Sequence, residues 1–196
     1  AEPRAAPCQS AVLYLVRQAA FMRHAELDRG DVMWDRETFL ELVRHDPLTF
    51  GVALGEQADG LAELLGADAS VRGFLVNLQL DDSTGERIVW TIHVLTDVTL
   101  VRFAASREGE TAGHRFSPDA FSDIEVLTAE VDAAPADTAA LHSIRSRVAR
   151  ANLRVGGGYI LFSGSEWYDQ WQGSVTDLAV EGVAGFFDGL PLLSVS

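Results

Sequence analysis

Four arginines in the last third of the chain form its densest basic cluster: Arg145, Arg147, Arg150 and Arg154. If this segment is helical, Arg147, Arg150 and Arg154 fall at positions i, i+3 and i+7 and share one face. Arginine suits bidentate recognition of anions, so this face is a candidate contact for an anion or an acidic partner. The simpler alternative is a solvated face whose internal ion pairs contribute at most about 1 kcal/mol each.

A second candidate cluster follows a Gly/Ser turn and is aromatic: Trp167, Tyr168 and Trp171. On a helix, Trp167 and Trp171 lie one turn apart and project to the same side. If exposed, they form a binding platform for a peptide or a sugar ring; if buried, they form a lid on the core of a sheet. No basic residue follows Arg154, so the acidic surroundings favour a cationic or arginine-bearing partner.

Catalytic chemistry has no local signature in this sequence. The five histidines are dispersed, and no spacing typical of zinc ligands occurs. The chain also lacks the Gly-x-Ser-x-Gly nucleophile turn, the phosphate-binding loop and the dinucleotide fingerprint. We therefore predict no cofactor. An enzyme or small-molecule site assembled from distant residues, for example His93, Arg102 and Glu166, stays open as an alternative.

The densest acidic patch comprises Glu26, Asp28, Asp31 and Asp35. Carboxylate oxygens bind hard cations such as Ca²⁺, but the glycine and the closing glutamate of a calcium loop are missing. Aspartate is also favoured in turns and at helix N-caps. We therefore predict no metal site and interpret the patch as a turn followed by a helix cap.

The overall charge narrows the class of partner. The 196 residues include 29 acidic residues and 15 basic ones, all of them arginine, for a net charge of −14. The absence of lysine fits the coding bias of a GC-rich, bacterial genome. A surface this negative repels phosphate backbones, so we expect no nucleic-acid partner. It favours instead a protein partner or self-association, including a homodimer.

The expected location follows from hydropathy and cysteine content. No apolar run reaches about 18 residues, so we expect no membrane partner. The single Cys8 cannot form an internal disulfide, which fits a reducing compartment weakly. We expect a cytoplasmic protein, with an exported protein that has lost its signal peptide as the alternative.

The first third of the chain shows helical periodicity. Ser10 is predicted to cap a helix that runs to about Leu27, with basic residues in its last turns. Asp35 caps a second helix that stops before Pro47. A third helix ends at Gly66.

The pattern then changes to the alternation typical of β-strands. Two long alternating runs flank a turn at residues 81–86, and with a strand over Val98–Ala104 they predict an antiparallel meander. The remaining elements are predicted in this order: a polar loop at Ser106–His114, a helical turn at Pro118–Phe121, a strand at Asp123–Val131, a helix capped by Asp137 and ended by Gly156, strands at Tyr159–Phe162 and Val175–Val180, and a final helix up to Pro191.

These elements predict an α+β fold with N-terminal helices, a central antiparallel sheet and C-terminal helices packed on the sheet. The sheet is expected as a meander or a partly closed barrel. Residues 1–9 are expected as a flexible lead-in, and residues 10–196 as one domain with a helical part (10–68) and a sheet-plus-helix part (69–196). The predicted function is a non-catalytic protein-interaction or regulatory module with an acidic surface.

Overall fold

The computed structural model describes residues 34–80, 87–133, 137–154, 158–171 and 175–194. Its helices are α1 (Arg36–His45), α2 (Pro47–Phe50), α3 (Ala58–Leu65), α4 (Ala139–Arg145), α5 (Gly164–Trp171) and α6 (Asp177–Gly189). Its strands are β1 (Trp34–Asp35), β2 (Ser70–Leu80), β3 (Arg87–Thr96), β4 (Leu100–Ser106), β5 (Thr111–Phe116), β6 (Phe121–Thr128), β7 (Arg147–Leu153) and β8 (Tyr159–Ser163). The predicted lead-in, the predicted helix from Ser10 and the predicted turn at residues 81–86 lie outside the described residues.

Helix α1 begins after Asp35 and stops before Pro47, and α3 ends at Gly66, as the sequence predicts, whereas the short helix α2 between them was not predicted. Asp35 caps α1, because its carboxylate accepts a hydrogen bond from the Thr38 backbone N at 2.9 Å. The fully buried Asp46 caps α2 in the same way, accepting from the backbone N of Thr49 at 3.3 Å. Gly66 ends α3 with a φ of 83°, a left-handed value that glycine adopts without steric cost.

The strands form two separate antiparallel sheets. The first contains five strands in the order β1-β2-β3-β4-β5, and the second contains three in the order β6-β7-β8. A 3₁₀ turn at Pro118–Ala120 separates β5 from β6, and proline supplies no backbone N–H for continued pairing. The α+β class is confirmed, and the first sheet is a meander. The alternative of a barrel is wrong, because the described strands do not close.

The five-stranded sheet is covered on both faces. Phe74 of β2 projects toward the first helices, where its ring centroid lies 4.8 Å from that of Phe50. On the opposite face, the imidazole of His93 contacts Phe162 of β8 at 5.1 Å between centroids. Phe116 and Phe121 make a second contact between the sheets, at 5.8 Å. The inner face of the three-stranded sheet therefore packs on the larger sheet, and its outer face is left uncovered by it.

Two predicted elements are wrong around the edge strands. Ser106–His114 was expected as a loop, but β5 begins at Thr111 and pairs with β4 through Phe116. The side chains of this strand are mostly exposed, so it lacks the apolar alternation by which strands are recognised. Val175–Val180 was expected as a strand, but α6 begins at Asp177 with Thr176 as its N-cap. The hydroxyl of Thr176 accepts a hydrogen bond from the backbone N of Ala179 at 3.1 Å.

The predicted helix from Asp137 to Gly156 is also wrong in its extent. Thr138 rather than Asp137 is the N-cap, the helix α4 ends at Arg145, and β7 follows at Arg147. The Ser146 hydroxyl donates to the Ser143 carbonyl oxygen at 2.9 Å, which closes the last turn of α4. The short run of valine, alanine and arginine after Ser146 is compatible with the periodicity of a helix or with that of a strand. Because its backbone pairs with a strand on each side, the segment is the strand β7.

Candidate interaction surface

The predicted aromatic cluster is a lid on the core. The side chains of Trp167 and Trp171 are 1% and 6% exposed, and their ring centroids lie 6.4 Å apart on the same side of α5. Gln170 fixes this helix to the sheet, because its side-chain oxygen accepts a hydrogen bond from the Leu78 backbone N at 3.0 Å. Of the two alternatives left open for the tryptophans, the structure therefore shows the buried one.

Tyr168, the third member of the aromatic cluster, belongs to a polar network beside α4. Its hydroxyl donates to the Asp137 carboxylate at 2.5 Å. Arg145 donates to the other oxygen of this buried carboxylate at 2.6 Å and stacks over the Tyr168 ring at 4.5 Å. The hydrogen bond to Asp137 raises the pKa of Tyr168 and that of Arg145. The network ties the segment before α4 to α5, so Tyr168 is engaged within the fold.

The predicted arginine face does not exist, because Arg147 and Arg150 lie on a strand and not on a helix. Successive side chains of a strand point to opposite faces, so Arg147 and Arg150 project to opposite sides of β7. Arg147 forms an ion pair with Asp188 of α6 at 2.8 Å and lies over the Phe187 ring at 5.6 Å. Arg150 and Arg154 are exposed, and Arg154 lies in the turn after β7. Only Arg150 therefore lies on the outer face of the second sheet.

The register of the second sheet defines what surrounds Arg150. Directly opposite it stand Glu125 of β6 and Leu161 of β8. The neighbouring rows on the same face place Leu127 opposite Val148, and Asn152 between Asp123 and Tyr159. We call this set the open sheet face: Asp123, Glu125, Leu127, Val148, Arg150, Asn152, Tyr159 and Leu161.

The open sheet face combines exposed apolar side chains with charged ones around Arg150. Tyr159, Leu161 and Leu127 are 65%, 49% and 37% exposed, although such side chains are usually buried. Arg150 makes no hydrogen bond or ion pair with any residue in the described part of the chain. The inward residues of the same strands, such as Ala149 and Phe162, are fully or almost fully buried. The sheet therefore presents exposed apolar surface on its outer side, with the Arg150 guanidinium, unpaired among the described residues, at the centre.

The fold brings together only some of the distant residues of the alternative site, His93, Arg102 and Glu166. His93 and Arg102 are opposite one another on β3 and β4. Burial between the sheets, reinforced by the Arg102 charge, lowers the pKa of His93 to about 4. Its Nδ1 is buried and has no hydrogen-bond partner among the described residues. Glu166 is exposed on α5, and within the described chain no hydrogen bond or ion pair joins it to His93 or Arg102.

Two surface clefts accompany these features. One, of about 450 Å³, lies between α4 and α6, and we call it the helix groove: Ala140, Ser143, Ile144, Arg147, Val180, Ala184, Phe187 and Asp188. The other, of about 760 Å³, is more polar and is lined by Thr128, Ala129, Glu130, Val131, Asp132, His142 and Ser146. Within the described ranges, no three His, Cys, Asp or Glu side chains are placed to hold a metal ion. Asp35, the described member of the predicted acidic patch, is the α1 cap.

Comparisons with other proteins give no family for this chain. No protein-family model, no curated protein and no solved structure matches it. No helix among the described residues is long and apolar enough to cross a bilayer. The sequence pattern points to Arg150 but not to the apolar residues on the same face. The sequence did contain a signal for these apolar residues. Leu127 and Leu161 add apolar side chains to the second face of strands whose first face is already apolar.

Proposed function

We propose that this chain is a non-catalytic protein-interaction module whose binding surface is the open sheet face. The observation that carries the proposal is the set of exposed apolar side chains on the same face as Arg150, which has no hydrogen bond or ion pair within the part of the chain that the structure describes. Contiguous exposed apolar surface is uncommon on proteins that have no partner, and arginine and tyrosine are enriched where partners bind. Asp123 and Glu125 of the edge strand β6 form a polar rim on one side of the face.

The chemistry of the face specifies the kind of partner. A carboxylate can pair bidentately with Arg150, and apolar side chains on either side of that carboxylate would cover Leu161 and Leu127. Additional acidic groups on the partner would meet Glu125 and Asp123 and be repelled. The fitting partner is therefore a protein segment with a single carboxylate between apolar residues, presented either by another protein or by a second copy of this chain.

A photo-cross-linking experiment tests the proposal in the native host cell. A benzophenone amino acid replaces Tyr159 in one variant and Leu48 in the control, because Leu48 is 59% exposed on α2, outside the open sheet face. We expect a discrete adduct from position 159 and none from position 48. Mass spectrometry of the adduct identifies the partner, and an adduct of twice the chain mass identifies a second copy.

Charge reversal then tests whether Arg150 directs the contact. Arg150→Glu combined with the probe at position 159 is expected to lower the adduct yield about tenfold, the effect of ~1.4 kcal/mol of binding free energy. Arg115→Glu, at an exposed arginine of β5, is the matched control and should leave the yield unchanged. Equal adducts from positions 159 and 48, or a yield indifferent to Arg150→Glu, would contradict the proposal.

A small-molecule-binding protein or enzyme is the second candidate, and the polar cleft favours it. This cleft contains His142 with the carboxylates of Glu130 and Asp132, and the Nδ1 of His142 is buried without a hydrogen-bond partner among the described residues. A thermal-shift screen of polar metabolites tests it. A ligand that raises the Tm of the wild type and not of His142→Ala would support this candidate over the interaction module.

A further inference from the structure

The three-stranded sheet has two edge strands, and they differ in how well they are protected against pairing with another chain. The edge strand β6 contains Asp123 and Glu125, and its register with β7 shifts between Phe121 and Asp123. Charged side chains and register irregularities are common means of blocking an edge. The edge strand β8, Tyr159–Ser163, contains no charged residue and no proline, and its register with β7 has no shift. It is therefore the unprotected edge of this sheet.

The hydrogen bonds of the sheet show which backbone groups of β8 point away from β7. The Leu153 backbone N donates to the Gly158 carbonyl oxygen at 3.1 Å. Bonded and non-bonded pairs alternate along an antiparallel ladder, so the even-numbered residues of β8 bond to β7. The odd-numbered residues direct their backbone N–H and C=O to the open edge: Tyr159, Leu161 and Ser163. No group in the described part of the chain bonds to the outward backbone groups of Tyr159 or Leu161.

A second copy of β8 matches this edge in the antiparallel orientation. With a two-fold axis at Leu161, each Leu161 would donate its N–H to the carbonyl oxygen of Leu161 in the other copy. Tyr159 of each copy would lie opposite Ser163 of the other. Because side chains alternate between the two faces of a strand, the exposed side chains of both copies would lie on one outer face. The strand is thus complementary to itself in backbone and in side chains.

The charges at the two ends of β8 also favour a second copy. Arg154 lies in the turn before β8, and Glu166 lies in the first turn of α5, which directly follows β8. Both side chains are exposed, and neither forms an ion pair with another described residue. In an antiparallel pair, the start of one strand adjoins the end of the other. Arg154 of each copy would therefore lie at the same end as Glu166 of the other, where opposite charges attract.

We propose that two copies of this chain pair through β8 in antiparallel orientation, so that their three-stranded sheets form one continuous sheet. The inference goes beyond the proposed function, because it uses the backbone edge of β8 and not the side chains that a partner would cover. The acidic residues of β6 lie two strands away from this edge, which limits repulsion between the copies. The joined outer face would present Arg150 twice.

Proline at position 161 tests the pairing. The N–H of Leu161 points to the open edge, so Leu161→Pro removes the central bonds of the dimer and no bond between β7 and β8. Sedimentation equilibrium of the full chain should show a dimer for the wild type and a dissociation constant at least about tenfold higher for Leu161→Pro. Circular dichroism establishes that the fold is retained.

Thr128→Pro on the opposite edge is the matched control. Thr128 is exposed, and the bond from the Ala129 backbone N to the Ser146 carbonyl oxygen leaves the Thr128 N–H pointing away from β7. This variant should therefore dimerise as the wild type does. Arg150→Glu, which tests the open sheet face, should also keep the dimer, so the two proposals can fail separately.

Charge exchange at the strand ends gives a second test that leaves the backbone of β8 unchanged. Glu166→Arg should raise the dissociation constant of the dimer about threefold or more, and adding Arg154→Glu should restore it. Glu63→Arg makes the same change in net charge on α3 and is the control. A monomeric wild type, a dimer equally weakened by Thr128→Pro, or a dimer unaffected by both Leu161→Pro and Glu166→Arg would overturn the proposal.

Discussion

His93 places a titratable imidazole between the two sheets. Burial, with a contribution from the Arg102 charge, lowers its pKa from 6.5 to about 4, so the folded protein binds this proton more weakly than the unfolded chain does. The free energy of unfolding should therefore be unaffected by His93 above pH 6.5 and should fall as the pH decreases toward 4. The loss is at most about 3 kcal/mol. Chemical denaturation at a series of pH values measures it.

Substitution separates this contribution from those of the many carboxylates. His93→Phe keeps an aromatic ring against Phe162 and removes the titration, so its stability should decrease less than that of the wild type over this pH range. Leu48→Gln changes an exposed, non-titrating side chain of α2 and serves as the control, with a pH dependence equal to that of the wild type. Parallel pH profiles for the wild type and His93→Phe would contradict the assigned role.

Individual residues of the candidate surface were only partly predictable. The sequence indicates Arg150 as a candidate because an arginine can bind an anion. The prediction placed it on a helical face, whereas the structure places it on a strand. The burial of Trp167 and Trp171 was left open, because spacing shows which side of a helix they share and not what covers that side. The Trp171 ring lies against Gly51, which is about 120 residues distant in sequence.

At the scale of elements, α6 lies directly on the backbone of β2. A Cβ on Gly73 would lie 2.0 Å from the Phe186 backbone N, and one on Gly185 would lie 2.3 Å from the Arg72 backbone oxygen. Backbone atoms on both sides leave no flexible group to move aside. Gly73→Ala should therefore destabilise the protein by about 3 kcal/mol or more, measured by urea denaturation.

The chain provides a matched control for this prediction. Gly158 precedes β8, and a Cβ there would meet no atom within 4 Å among those described. Gly158→Ala should leave the free energy of unfolding within about 0.5 kcal/mol of the wild type. A small effect of Gly73→Ala would show that α6 can shift away from β2 and that their contact is not constrained by backbone packing.

Elements that are marked by local residues, such as helix caps or a strong apolar alternation, were predictable. Strands that depend on pairing with distant segments were not. The caps Asp35 and Gly66 and the strong alternation of β2 and β3 gave correct elements. The strand β5 is held by backbone hydrogen bonds to β4, with mostly exposed side chains, and so leaves little hydrophobic pattern. Pairing partners distant in sequence decide such strands, and local periodicity does not contain that information.

At the scale of the whole molecule, the net charge of −14 acts on the open sheet face at long range. The proposed face centres on Arg150 and favours a carboxylate. The excess negative charge slows the approach of any strongly acidic partner. It therefore restricts the open sheet face to partners whose carboxylate is locally isolated.

The same charge excess should make stability depend on salt. Each exposed carboxylate is repelled by many others, and the repulsion is relieved when the compact fold opens. Raising NaCl from about 10 to 150 mM shortens the screening length from about 30 to 8 Å, which weakens repulsion across the molecule more than the few close ion pairs such as Arg44–Asp59. The Tm should rise by about 2–4 °C, corresponding to about 1 kcal/mol for a chain of this size.

Neutralising the exposed Glu63 and Glu108 together to glutamine should raise the Tm at low salt and reduce the salt effect. A Tm that falls with added NaCl would show that attractive pairs outweigh the net repulsion.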